Sequence, residues 1–154
     1  MAVSPIPEQF HSVNPSIVCT PCADAIDFYV RAFGAEEVAP RMVGPDGAIG
    51  HAEIRIGDTV LMLADEWPGG PTQSPATLGG STAAFVIYTD DVDTMWQQAI
   101  EAGAEEVFPL ETQFYGERGG RVRDPFGHTW GISMRIEEVD DEEMRRRTQA
   151  FYNA

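Results

Sequence analysis

Basic residues are scarce: ten arginine and lysine side chains stand against twenty-five acids in 154 residues, a net charge of −15 at pH 7. A field of that sign repels phosphate backbones and anionic headgroups, which argues against nucleic acid and membrane surfaces as partners and favours a cationic ligand at long range. Long apolar runs are lacking too. No stretch approaches the roughly 20 residues that a bilayer span needs, and Met1-Ala2-Val3-Ser4-Pro5 has neither the basic nor the apolar region of a signal peptide, so the sequence predicts a cytoplasmic protein. Cysteine is reduced to Cys19 and Cys22, in Cys-Thr-Pro-Cys. With no second Cys/His pair at ligand spacing they complete no zinc site, and Cys19 at a strand end lacks the helix N-terminus that activates a redox thiol. They read as packing residues.

What is present is enough to fold. A 43% hydrophobic content over this length supports a buried core of ordinary size. The chain is organised around residues 116–133. Gly120 to Arg123 and Thr129 to Met134 are extended runs around a turn for which Pro125 presets φ and in which Gly127 accepts positive φ. Arg121 and Arg123 alternate with Val122, so both guanidinium groups leave one side of the strand. An earlier hairpin has the same grammar: His51, Glu53 and Arg55 alternate with Ala52, Ile54 and Ile56 before a Gly57-Asp58 turn. The repetition is literal upstream, where Gly34-Ala35-Glu36-Glu37-Val38 returns as Gly103-Ala104-Glu105-Glu106-Val107. The chain reads as a duplicated module.

Taken in order, residues 1–11 form a proline-containing arm. A first module, 12–65, has a strand over 12–19, a helix over 23–33 with Ala25, Ile26, Tyr29, Val30 and Phe33 on one face, a strand over 37–43 and then the hairpin. Residues 66–81 have the glycine and proline content of a linker. The second module, 82–137, repeats the order: a strand over 82–89, a helix capped by Asp90 or Asp91 with Met95, Trp96, Ala99 and Ile100 inward, then strands over 106–111, 120–124 and 129–134. Residues 138–154 place acids before arginines, as a helix dipole prefers, and Asp140 with Glu143 has capping-box spacing. Met144, Thr148 and Phe151 make one side of a docked helix. The fold class is α+β, two tandem βαβββ modules with a short C-terminal helix.

Ala25-Ile26-Asp27-Phe28-Tyr29 before Phe33-Gly34-Ala35, the repeated module, and Arg123-Asp124-Pro125-Phe126-Gly127-His128 closing the second copy resemble the glyoxalase/bleomycin-resistance/dioxygenase family, the vicinal oxygen chelate superfamily. The resemblance is nearest to its demethylubiquinone methyltransferase-like branch and covers about residues 12–137. It implies sheets that curl around a central cavity, usually within a homodimer, and in metal-dependent members four ligands chelating a divalent cation. Carried over, those positions fall on Asn14, Met62, Ala84 and Gly131, which supply no anionic donor. The expectation is therefore no metal and no other cofactor.

Alternation then implies a cavity face carrying Met62, Val60, Thr82, Val86, Tyr88, Thr129 and Ser133, with Leu61, Leu63, Phe85 and Ile87 beneath the helices. His51, Glu53, Arg121 and Arg123 are its polar contacts, and Trp67, Phe114 and Tyr115 lie in loops able to close over a ligand. Glu53 and Arg123, equivalent in the two repeats, form either an ion pair or part of a binding site. His51 with Glu53 is a wall pair or an acid/base pair. Three functions stay open: one is sequestration of an aromatic or cationic small molecule, as bleomycin-resistance members do, and a second is an enzyme of the same fold, a lyase, isomerase or dioxygenase, using His51 and Glu53 or a displaced metal. A structural dimer is the third.

Overall fold

The computed structural model describes residues 3–154, so the first two residues of the N-terminal arm lie outside the described residues. The chain separates into two compact units that divide between Gly80 and Ser81. In the first, β1 (Ser16–Val18) leads into α1 (Cys22–Phe33), followed by β2 (Glu36–Glu37), β3 (Met42–Val43), β4 (Ile49–Ile56) and β5 (Thr59–Ala64). Strand order is β1-β5-β4-β2, with β3 also on β4, and β1 lies parallel to β5. A short helix α2 (Pro75–Leu78) interrupts the stretch read as linker; Ser74 caps it by accepting from the Thr77 amide.

In the second unit, β6 (Ala84–Tyr88), α3 (Val92–Ala102), β7 (Glu105–Thr112), β8 (Glu117–Arg123) and β9 (Thr129–Arg135) give the order β6-β9-β8-β7, and α4 (Asp141–Tyr152) follows. The repeated Gly-Ala-Glu-Glu-Val has a mechanical meaning. Gly34 and Gly103 both end their helices in the left-handed conformation, at φ 66° and 113°, and their amides return to the last turn. The alanine that follows is buried in each copy, and a strand begins one residue later.

Each core lies between a helix and one sheet face. In unit 1, Phe28, Tyr29 and Phe33 form an aromatic cluster with ring separations of 5.5–6.0 Å over Ile54 and Leu63. Phe28, not Val30, joins the buried face of α1; Val30 is 44% exposed. The strand expected over 37–43 is two short pieces. Pro40 has no amide to donate to a ladder, and an ion pair between Arg41 and Glu37 spans the break. Val60, expected on the cavity face with Met62, is 2% exposed. In unit 2, Trp96 of α3 lies so close to β8 that a Cβ at Gly120 would stand 2.6 Å from its ring.

Cys19 and Cys22 are buried and not joined in a disulfide, and Cys19 Sγ lies 3.6 Å from the Tyr29 hydroxyl. Burial, reinforced by the nearby Asp65 carboxylate, pushes the Cys22 thiol up to about 12, so it stays protonated and unreactive at neutral pH. A chromogenic disulfide reagent is expected to modify neither cysteine in the native protein at pH 8 and both after denaturation. Rapid native labelling would contradict the packing role.

Candidate functional site

The second unit carries an open, aromatic sheet face. Val122, Trp130 and Ile132 are buried on the side covered by α3, so alternation sends Gly119, Arg121 and Arg123 of β8 and Gly131 and Ser133 of β9 to the other side. Cross-strand pairing sets rows on that side. Val86, Gly131, Arg121 and Phe108 follow one another across four strands; Tyr88, Ser133, Gly119 and Glu111 make the next row. This face floors a cleft of about 830 Å³, walled by Phe114 and Tyr115 of the β7–β8 turn and by Phe151 and Tyr152 at the end of α4.

The walls support one another. Phe114 stacks on Phe151 at 4.7 Å and meets Tyr115 edge-on at 5.3 Å. The Tyr88 hydroxyl donates to Glu117 at 2.8 Å, and that hydrogen bond holds its phenol above the ordinary tyrosine range. The end of α4 is held by Arg147, which donates to both Glu137 oxygens at 2.6 and 2.8 Å, to Glu143 at 2.7 Å and to the Phe114 carbonyl at 3.1 Å. Hydrogen bonds from Arg146 and Arg147 hold the Glu143 carboxyl down at about 2. No residue of α4 is fully buried, so these polar bonds and the Phe114 stack fix its position.

Tyr88, Tyr115, Arg121 and Ser133, all expected at a ligand site, line this one cleft. Arg123 shares the sheet face and pairs with Glu105 at 3.7 Å, and Glu53 takes a hydrogen bond from His51. Sequence reading missed Phe108, Glu111 and the α4 aromatics. Two register shifts in β7 break the alternation that would have revealed the first two.

In unit 1, His51 Nε2 lies 3.0 Å from Glu53 Oε1. Glu53 is level with Met62 across β4–β5, and its side chain is 12% exposed. Its Oε2 is buried and has no hydrogen-bond partner among the described residues, which is costly for a carboxylate oxygen. Trp67 is elsewhere. It is 74% exposed and lines a separate cleft of about 950 Å³ with Met42, Val43 and Pro71.

On the sequence resemblance, the superfamily's metal positions fall on Asn14, Met62, Ala84 and Gly131. Asn14 lies before β1 and spends its amide on the His11 backbone, donating to the carbonyl at 2.7 Å and accepting from the amide at 2.9 Å. Ser16 is the β1 residue level with Met62, and Val86 the β6 residue level with Gly131; the side chains of Asn14, Met62 and Ala84, and Gly131 with none, bring no anionic oxygen or imidazole. Among the described residues no three His, Cys, Asp or Glu side chains gather as a metal group.

The Asp124 carboxylate organises the β8–β9 turn. Its Oδ1 accepts from the Phe126 and His128 amides, both at 2.9 Å, and its Oδ2 accepts from Trp130 Nε1 at 2.8 Å. The sequence reading gave the turn to Pro125 and Gly127 and assigned Asp124 no role, although aspartate at the first turn position with glycine at the fourth is its own signal.

Comparisons with known proteins agree with this architecture. The sequence pattern of the Glyoxalase/Bleomycin resistance protein/Dioxygenase superfamily matches residues 10–132. The uncharacterized protein Mb0911c of Mycobacterium bovis is 42% identical over 137 residues, covering 87% of this chain and 90% of its own. Among solved structures, TioX from Micromonospora superposes with a TM-score of 0.63 at 27% identity, covering 81% of this chain and 100% of that one. TnmS3, an antibiotic binding protein from Streptomyces, superposes with a TM-score of 0.61 at 26% identity, over 88% and 98% of the two chains.

Proposed function

The chain belongs to the glyoxalase/bleomycin resistance protein/dioxygenase superfamily, and on that footing we propose that it sequesters an aromatic small molecule in the cleft of its second unit. The observation that carries this reading is the clustering of exposed aromatic side chains around one concavity. Tyr88, Phe108, Tyr115, Phe151 and Tyr152 are 41–79% exposed there, and a protein surface seldom keeps so much aromatic area together without a partner for it. The similarity to an antibiotic binding protein supports the same class of activity.

The proposal includes a cytoplasmic homodimer that works without a metal at the superfamily position. Exposed Ile6 in the arm supports the dimer, and the donor chemistry of Met62, Ala84 and Gly131 supports the absence of metal. Native mass spectrometry of protein from its own host tests all parts at once. Twice the 16.9 kDa chain mass, no stoichiometric metal and a retained aromatic compound are expected. Tyr115→Ala and Phe151→Ala are expected to weaken binding of that compound by about 1–3 kcal/mol each, within the usual range for aromatic contacts. Full binding in both variants with loss in Trp67→Ala would move the site to the first unit.

The orphaned Glu53 Oε2 beside His51 favours a second reading, acid/base chemistry on a bound ligand. Incubating the retained compound with protein in deuterated water decides it. Deuterium uptake at a carbon, abolished in His51→Ala, would establish chemistry; an unchanged compound leaves sequestration.

A further inference from the structure

We infer that Arg121 anchors an acidic group of the ligand, so that the cleft takes aromatic acids: planar rings bearing a carboxylate, a sulfonate or an ionised phenol. The inference rests on the cleft reading given above and adds the ligand's charge to it. All ten basic side chains of this chain are arginine, permanently charged among twenty-five acids. In the second unit, Arg118 pairs with Asp93, Arg123 with Glu105, Arg146 with Glu143, and Arg147 with Glu137 and Glu143. Arg121 has no carboxylate within ion-pair distance among the described residues. Arg135 and Arg145 share that property but do not line the cleft, whereas Arg121 stands in its floor.

Its surroundings leave room for a ligand group. The residue across β9 is Gly131, and the next residue on the same face of β8 is Gly119, so two of its neighbours on that face carry no side chain. The hydroxyl of Ser133 takes the space over Gly119, where a Cβ would come within 2.6 Å of it, and offers a second donor beside the guanidinium. Phe108, across β7, supplies an apolar flank. A guanidinium and a hydroxyl next to aromatic walls match a planar ring with an anionic substituent, because arginine grips such groups through a rigid fork of donors.

Two carboxylates also line the cleft, and the overall charge attracts cations from a distance. Glu117 already accepts from Tyr88, which occupies one of its oxygens. Glu111 is opposite Gly119, diagonal to Arg121, and forms no ion pair with it among the described residues. At contact range the unpaired arginine decides which end of a ligand is held.

The test uses two fluorescent probes that share one ring system, anilinonaphthalenesulfonate and its neutral parent phenylnaphthylamine, titrated into the full-length protein with a thermal melt of each variant. Wild type is expected to prefer the sulfonate by about tenfold, the value of one charge-assisted contact in a partly exposed site, and Arg121→Met to erase that preference. Equal affinity for the two probes in wild type, or a preference that survives in Arg121→Met, overturns the anchor while leaving the cleft. A failure of both probes to bind overturns the cleft reading and this inference with it.

Discussion

Asp124→Ala is expected to lower the unfolding free energy by about 3–5 kcal/mol. The carboxylate is 3% exposed and accepts from two backbone amides and the Trp130 indole. Truncation removes the acceptor of three hydrogen bonds at once, and a buried donor that loses its acceptor costs about 1–3 kcal/mol. At this chain length the melting temperature should fall by about 10 °C. Indole fluorescence reports the same event locally, since Trp130 is buried and loses its acceptor. A loss below about 1 kcal/mol would show that Pro125 and Gly127 hold the turn without the aspartate.

Arg147→Met is expected to release α4 from the cleft while leaving the two sheets intact. Arg147 joins Glu137, Glu143 and the Phe114 carbonyl, and α4 buries no residue that would hold it otherwise. Hydrogen exchange should therefore show the amides of 141–152 losing their protection in the variant, with the β8–β9 amides unchanged. Acid is expected to do the same. Glu143 is held from its ordinary 4.5 down to about 2 by its arginine partners, and Glu137 is lowered by Arg147. Groups depressed in this way contribute above the unfolded value and lose that contribution as pH falls through the folded one. Protection of α4 should hold from neutrality to about pH 4.5, fade toward pH 2, and weaken with added salt, because these pairs are open to solvent. Protection that persists in Arg147→Met would assign docking to the Phe114–Phe151 stack.

Much of the fold was legible because it is written twice. The repeated glycine-led pentapeptide marks two helix ends, and alternation in 51–56 and 121–123 separates helix-facing from open-facing side chains. The misses have local causes. Val30 looked buried by residue type alone, whereas Phe28 is the ring that completes the α1 stripe. Pro40 split a strand that hydrophobicity made continuous. At the candidate site, alternation located Tyr88, Arg121 and Ser133, since each sits on a regular strand. It failed for Phe108 and Glu111, where β7 shifts register twice, and for Phe151 and Tyr152, which reach the cleft through a tertiary ion cluster that no periodicity encodes. At Asp124 the turn spacing to Gly127 was readable, but its bond to the Trp130 indole, six residues further along, was not.

Gly116 offers a way to follow this architecture through sequence collections. Its carbonyl accepts from the amides of both Ile136 and Glu137, and a Cβ there would stand 2.8 Å from the Glu137 carbonyl oxygen and from a Val139 methyl. Any larger residue would push away the strap that leads into α4. Relatives that have both glycine at this position and arginine at the position of Arg147 should carry a tail folded over the cleft. Lineages that substitute the glycine should have lost the tail or let it swing free, and should accept bulkier cargo. The two letters together would sort the superfamily's anonymous members by the size of molecule they admit.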